Sequence, residues 1–130
     1  MIEDKSIEEL EGFYPRNLSA DSYVVRTSLN ALKKPISQLS NEELRLLIGQ
    51  RIGLKYLIPM ALAVVNDKPL VEVTFFKGDL LLQLLRLSEN DWRDNKDEFR
   101  RFQEIVKDNL KLIRSCEEIP NKLIEKALNQ

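Results

Sequence analysis

Apolar residues in the middle of the chain recur at the spacing of one helical face. From Leu44 to Ile52 they fall at i, i+3, i+4 and i+8, which places them on one stripe of a helix. Ser40 and Glu43 have the spacing of a capping box, in which two side chains satisfy free N–H groups at the start of a helix. The pattern therefore predicts a helix that begins just after Ser40.

A second apolar run, from residue 54 to residue 66, predicts the central helix of the protein. Its apolar positions continue at helical spacing, and further apolar residues fill the remaining faces. A helix that is apolar on all sides belongs in the interior of a protein. Gly53 is expected to separate it from the preceding helix. Pro59 lies inside it and is expected to kink or open it, at a cost of about 3 kcal/mol unless neighbours compensate.

The N-terminal third predicts two more helices. Ser6 and Glu9 form another capping box, so a short helix should follow and end near Gly12. The expected anchors of this segment on the core are Ile7, Leu10, Phe13 and Tyr14. Residues 22–33 keep helical spacing although they include a β-prone stretch, and we predict a helix that Pro35 ends.

The C-terminal half predicts an extended connector followed by helices. Residues 70–76 are β-prone but have no partner strand, so we expect a connector there. Asp79 is placed to cap a leucine-rich helix over residues 80–87, and Ser88 to cap a short turn around Trp92. From about residue 95 a long amphipathic helix is expected, with the stripe Phe99, Phe102, Val106, Leu110 and Ile113. Pro120 suits the first turn of a last helix.

These elements predict an all-α protein. The expected architecture is one helical bundle over residues 1–130, with about 6–8 helices around the kinked central helix. A chain of 130 residues is a single domain by length, and it is long enough to bury a core without disulfides or metals.

Charge disfavours direct binding to nucleic acid. The formal net charge is −1, and the 20 basic residues are dispersed among 21 acidic ones, whereas nucleic-acid binders usually carry a basic face. The first twelve residues are an acidic exception, with five carboxylates and one lysine. An acidic binder suits a basic protein partner.

The residue types exclude the commonest catalytic arrangements. The chain has no histidine and one cysteine, Cys116, so neither a Cys–His nor a Ser–His nucleophile is available. Cys116 follows Ser115 and precedes two glutamates, surroundings that favour an inert thiol. Carboxylate pairs fall at capping positions or on charged helical faces, so we read them as solvated surface. We therefore predict no enzymatic activity, no metal and no cofactor.

The N-terminal residues and the apolar runs predict a cytoplasmic protein. The first six residues are charged and polar, unlike a signal peptide. The longest uncharged run, from Tyr56 to Asn66, is far shorter than the roughly 20 residues that span a bilayer. We expect no contact with the membrane.

Four side chains have two possible roles each. Trp92 either anchors the core at its short turn or forms an exposed contact for a partner. Arg45, Gln50 and Arg51 project from a helix whose other face is core, and they either pair with local acids or meet a partner.

The sequence from Glu43 to Leu62 resembles the signature block of a family of contact-dependent growth inhibition immunity proteins. Residues 68–70, residues 76–81 and the pair Asp91–Trp92 resemble the second half of that family's pattern. The resemblance covers roughly residues 39–92. Residues 70–76 depart from the pattern, because Val71, Val73 and Thr74 replace a more acidic, glycine-containing segment. That segment either carries partner specificity or has drifted.

The resemblance implies a bacterial cytoplasmic protein, encoded beside a contact-delivered toxin, that neutralises the toxin's C-terminal domain by covering its active site. That domain is very often a nuclease, and a basic one would attract an acidic inhibitor. The signature block from Glu43 to Leu62 is mostly apolar, so we expect the contact residues outside that block. We also expect the protein to be monomeric on its own. The predicted partner-binding residues are Glu72, Asp79, Asp91, Trp92, Asp94, Asp97 and Glu98, with the N-terminal acids as the alternative surface.

Two other classes of function stay open. A helical antitoxin, transcriptional regulator or other interaction module would be favoured by a recognition helix with clustered Lys or Arg. An enzyme with a carboxylate-bound metal would be revealed by metal analysis of the purified protein.

Overall fold

The computed structural model describes residues 2–12 and 23–130. In this part of the chain the helices are α1 (Ile7–Glu11), α2 (Tyr23–Ala31), α3 (Asn41–Gly49), α4 (Leu54–Asp67), α5 (Asp79–Arg86), α6 (Lys96–Asp108), α7 (Leu110–Arg114) and α8 (Asn121–Leu128). Three short 3-10 helices cover Ile2–Asp4, Ile36–Gln38 and Arg93–Asn95. No strand occurs among the described residues, which confirms the all-α prediction.

Both predicted capping boxes are present. The Ser6 hydroxyl accepts a hydrogen bond from the Glu9 N–H, and the Glu9 carboxylate accepts one from the Ser6 N–H. Ser40 and Glu43 make the same pair of bonds at the start of α3. Burial of the Glu43 carboxylate opposes its ionisation, but the Ser40 donors and Lys34 outweigh burial and lower its pKa. Lys34 Nζ lies 3.0 Å from this carboxylate, so the second box also ties α3 to the segment before it.

The predicted break between α3 and α4 is at Gly53, where the backbone turns through φ 67°. A Cβ at this position would lie 2.7 Å from Cδ1 of Ile7. The glycine therefore caps the start of α4, and its missing side chain lets Ile7 of α1 pack directly on the backbone. Gly49, at the end of α3, also allows a close contact, because a Cβ there would lie 3.2 Å from Oε1 of Gln83 on α5.

Helix α4 continues through Pro59 without interruption, from Leu54 to Asp67. A proline has no N–H, so it leaves the carbonyl four residues earlier, that of Lys55, without its helical donor. Nδ2 of Asn95 donates to this carbonyl at 3.2 Å. A buried side chain from another element thus replaces the hydrogen bond that the proline removes.

Only part of α4 is buried, so the expectation of an all-round buried helix is wrong. Its core face consists of Leu57, Ile58, Ala61, Leu62 and Val65, whereas Pro59 and Ala63 are exposed. Helices α3, α5 and α6 pack against α4, and they leave one side open to solvent. Helix α5 adds four buried leucines to the same core, and α8 closes it against α5 and α6.

Several predicted boundaries move. Helix α2 ends at Ala31, before Pro35, and the proline begins the next 3-10 turn. The predicted long helix from residue 95 is divided at Asn109 into α6 and α7, where Asn109 Nδ2 donates to the Ile105 carbonyl at 2.8 Å. Pro120 precedes α8 as expected. The anchors proposed at Phe13 and Tyr14 lie outside the described residues.

We predict that Gly53→Ala lowers the free energy of unfolding by about 2–4 kcal/mol, because it adds both a strained backbone and a clash with Ile7. Gly12→Ala is the matched control. Gly12 has a similar positive φ of 62°, but no atom of the described residues lies within 4 Å of its Cβ position, so strain alone should cost about 1 kcal/mol. Urea denaturation measures both variants, and equal losses would contradict the close packing at Gly53.

We predict that Asn95→Ala costs about 1–3 kcal/mol of stability, because it leaves the Lys55 carbonyl without a donor. In a Pro59→Ala background the new N–H of residue 59 supplies that donor, so the cost should fall by about 1 kcal/mol or more. The control is Asn109→Ala, which also removes a donor to a helical carbonyl but should cost the same in both backgrounds. A double-mutant cycle by denaturation measures the coupling, and a cost of Asn95→Ala that is independent of residue 59 would overturn this role.

Candidate partner-binding surface

Two of the predicted acidic residues line one cavity of about 480 Å³ between α4 and the turn before α6. Asp91 and Asp94 form one side of it, and Glu11 from the end of α1 joins them. Residues 50–55 form the opposite wall, with the cations Arg51 and Lys55. We call this feature the acidic cavity. It places one of the N-terminal acids, Glu11, in the same cavity as Asp91 and Asp94.

Asp91 is fixed in this cavity by its local turn. The Ser88 N–H donates to the Asp91 carboxylate at 2.8 Å, and the Ser88 hydroxyl accepts from the Asp91 N–H at 3.2 Å. This reciprocal pair confirms the predicted cap at Ser88. The carboxylate also lies 3.6 Å from Nε of Arg51 across the cavity, so Asp91 is half-buried and oriented before any partner arrives.

Arg51 has a backbone conformation that residues other than glycine rarely adopt, with φ 59°. Its guanidinium donates to the carbonyls of Gly49 and Arg86, at 2.6 and 3.2 Å, and approaches Asp91. Arg51 therefore pairs with a local acid, one of its two expected roles. Strained residues are concentrated at functional sites, and this one forms a wall of the cavity.

Three of the predicted carboxylates lie outside the acidic cavity: Glu72, Asp97 and Glu98. Asp97 is almost fully exposed and pairs with Arg100 at 3.4 Å in the first turn of α6. Glu98 is half-buried on the same turn. Glu72 lies on the connector before α5, where it forms an isolated bridge with Lys77. None of these three lines a cavity with Asp91 and Asp94.

Trp92 is packed in the core, with 4% of its surface exposed. Its ring stacks on Phe102 at a centroid distance of 5.2 Å and contacts Phe99 at 5.0 Å. Of its two possible roles, the structure places it in that of a core anchor. Trp92 supports the surface by fixing the turn that carries Asp91 and Asp94.

Asp79 is also buried, with 2% of its surface exposed. The prediction that it caps α5 is wrong. Gly78 occupies the cap position with φ 86°, and the Asp79 carboxylate turns back to the connector. There it accepts hydrogen bonds from the N–H groups of Val73, Thr74 and Phe75 at 2.8–2.9 Å. Burial of Asp79 opposes ionisation, but these donors outweigh burial and lower its pKa. One carboxylate thus holds three successive residues of the connector in place.

Sequence reasoning did not connect Glu11, Arg51 and Lys55 with the acids near residue 91. No local pattern could have done so, because the cavity arises where the end of α1 meets the α3–α4 break and the turn before α6. One partial signal was present in the sequence, because Arg51 was expected either to pair with a local acid or to meet a partner.

Other reactive groups are occupied by structural contacts. Burial of the Cys116 thiol, together with the neighbouring Glu118 carboxylate, raises its pKa, and Sγ lies 3.4 Å from the Lys77 carbonyl. Within residues 2–12 and 23–130, no three acidic or cysteine side chains cluster closely enough to hold a metal ion. No helix in this part of the chain has the length and apolar character needed to cross a membrane.

Comparison with protein families gives one match. The model of a family described as CDI (contact-dependent growth inhibition) immunity proteins matches residues 9–102. This range covers well over half of the chain. It extends on both sides beyond residues 39–92, the part in which the sequence alone resembles the family. Searches of curated proteins and of solved structures found no match.

We predict that Asp79→Asn lowers the free energy of unfolding by about 1.5–3 kcal/mol at pH 7, because it weakens charge-assisted hydrogen bonds to the connector. The folded-state pKa is lower than the unfolded one, so this contribution is complete above the unfolded pKa and is lost as pH falls through the folded value. The stability difference should therefore shrink below about pH 4. Asp97→Asn, at an exposed carboxylate, is the control. Denaturation curves from pH 7 to pH 3 measure it, and a pH-independent difference would contradict this account.

Proposed function

Because the chain belongs to the CDI immunity proteins, we propose that it binds the C-terminal toxin domain of a contact-dependent growth inhibition system and neutralises it. We further propose that this toxin domain is a basic nuclease, and that the chain acts in the cytoplasm by covering the nuclease active site. The family match to residues 9–102 is the observation that carries the proposal. Inhibition of this kind needs a complementary surface and no catalytic group.

The acidic cavity supports this proposal through its shape and charge. A nuclease grips phosphate groups with basic residues, and a surface of opposite sign attracts it and speeds the encounter. Asp94 and Glu11 lie at the cavity and are exposed, so basic side chains of the toxin have access to them. The exposed pair that Asp94 makes with Arg93, at 3.8 Å, is of a weak kind. Asp91 is already paired with Arg51 and holds the shape of the wall. The rim can therefore accept a cation without rearrangement of the core.

The first experiment is co-expression of this protein with the toxin domain encoded beside it. We expect restored growth and a nanomolar complex by calorimetry. Absence of both would reduce the family match to a likeness of fold. A gel shift at several salt concentrations, with DNA in place of the toxin, tests the alternative of a regulator, for which salt-sensitive binding would be expected.

We predict that the double charge reversal Glu11→Lys with Asp94→Lys weakens toxin binding at least about tenfold, mainly through slower association, because it replaces attraction by repulsion. The matched control is the same charge change at two exposed glutamates away from the cavity, Glu104→Lys with Glu117→Lys. Surface plasmon resonance at two salt concentrations gives the rates, and higher salt should narrow the difference. Unchanged affinity of the cavity variant, or an equal loss in the control, would rule out this surface.

A further inference from the structure

A second cavity, of about 610 Å³, adjoins the acidic cavity and shares Gln50 and Arg51 with it. It lies between α2, α3, α5 and the connector that Asp79 shapes. We call it the arginine groove and define it by Tyr23, Arg45, Thr74, Phe75, Gln83 and Arg86. Its chemistry differs from that of the acidic cavity.

Arg45 is the unusual residue of the groove. It is only 8% exposed, and its Nε donates to the Thr74 hydroxyl at 3.1 Å while the guanidinium lies 4.8 Å from the centroid of the Phe75 ring. Among the residues that the structure describes, no carboxylate lies within 4.0 Å of it. A guanidinium with so little contact with water interacts more strongly with an opposite charge than an exposed one does, and Arg45 lines the groove, so it can pair with an anion that enters from outside.

The charges around Arg45 favour an anion. Three arginines line the groove, and Glu42 is the one carboxylate among its lining residues. Glu42 accepts a hydrogen bond from the Tyr23 hydroxyl at 3.0 Å. Arg51 is engaged with Asp91, which leaves Arg45 and Arg86 to face a ligand. A planar guanidinium binds a carboxylate through two parallel hydrogen bonds.

Two exposed aromatic side chains indicate that this anion belongs to a protein. Tyr23 is 60% and Phe75 71% exposed, and they are two of the four large apolar side chains exposed in the described part of the chain. Aromatic residues and arginine are enriched in protein interfaces. A nucleic acid needs several phosphate contacts, and the neighbouring acidic cavity would repel its backbone.

We propose that the arginine groove receives an aspartate or glutamate side chain of the toxin domain, whose carboxylate pairs with Arg45. This inference rests on the proposed function. The toxin then meets two adjoining sites of opposite charge, a cationic side chain entering the acidic cavity and an anionic one entering the groove. Reversed orientation of the toxin would place like charges together, so the pair of sites fixes one docking orientation.

The test is a double-mutant cycle between this protein and the toxin domain. Arg45→Gln should weaken the wild-type complex at least about tenfold, and exposed Arg86→Gln should weaken it in the same direction. Each toxin aspartate and glutamate is changed in turn to its amide. For one of these toxin variants, the loss of affinity should not add to the loss caused by Arg45→Gln, because both changes remove the same ion pair. Arg101→Gln, at an exposed arginine outside the groove, is the control.

The outcomes separate the two proposals. Failure of the wild-type chain to bind the toxin contradicts the proposed function and the groove with it. If the wild-type chain binds the toxin, and Arg86→Gln and a folded Arg45→Gln bind it with the same affinity, the role of the groove is contradicted but the proposed function is not. The proposal for the groove is also overturned if the loss of affinity caused by Arg45→Gln adds fully to the loss caused by every toxin carboxylate variant. If Arg45→Gln abolishes binding of a single-stranded oligonucleotide while toxin affinity is unchanged, the groove binds nucleic acid instead. Circular dichroism shows whether each variant is folded. If Arg45→Gln does not fold, the toxin affinity of Arg86→Gln decides whether the groove takes part in binding.

Discussion

The hydrogen bond from Asn95 to the Lys55 carbonyl is the contact on which the candidate surface most depends. Pro59 makes this bond necessary, because it removes the helical donor of that carbonyl. The bond joins the start of α4 to the turn before α6, and both partners line the acidic cavity. The same turn carries Asp91 and Asp94, and Trp92 holds it in the core. A proline in the central helix thus fixes the position of the surface carboxylates.

The break between α3 and α4 organises the surface around this contact. Residues 50 and 51 form a ridge with the acidic cavity on one side and the arginine groove on the other. Gly53 provides the backbone turn, and the strained Arg51 reaches the carbonyls of Gly49 and Arg86. The apolar block that resembles the family therefore does more than form the core, since its few polar residues separate two sites of opposite charge.

Local patterns predicted most of the fold, whereas the surface depends on contacts distant in sequence. Capping boxes at Ser6 and Ser40, the break at Gly53 and the cap at Ser88 were readable, because each is decided within a few residues. The role of Asp79 was not, since its carboxylate turns to a connector whose shape the sequence does not specify. Neither was the placement of Glu11 in one cavity with Asp91, nor the burial of Arg45 with no carboxylate of the described residues within 4.0 Å. These depend on how α1, the α3–α4 break and the connector pack together.

Hydrogen–deuterium exchange on the complex with the toxin domain shows whether the toxin covers the acidic cavity and the arginine groove, because it reports which backbone segments the partner protects. We predict toxin-dependent protection at residues 45–55, at the connector 72–77 and at the turn 88–95, which all contribute to the walls of these cavities. Protection confined to α7 and α8, or none at all in a tight complex, would contradict it.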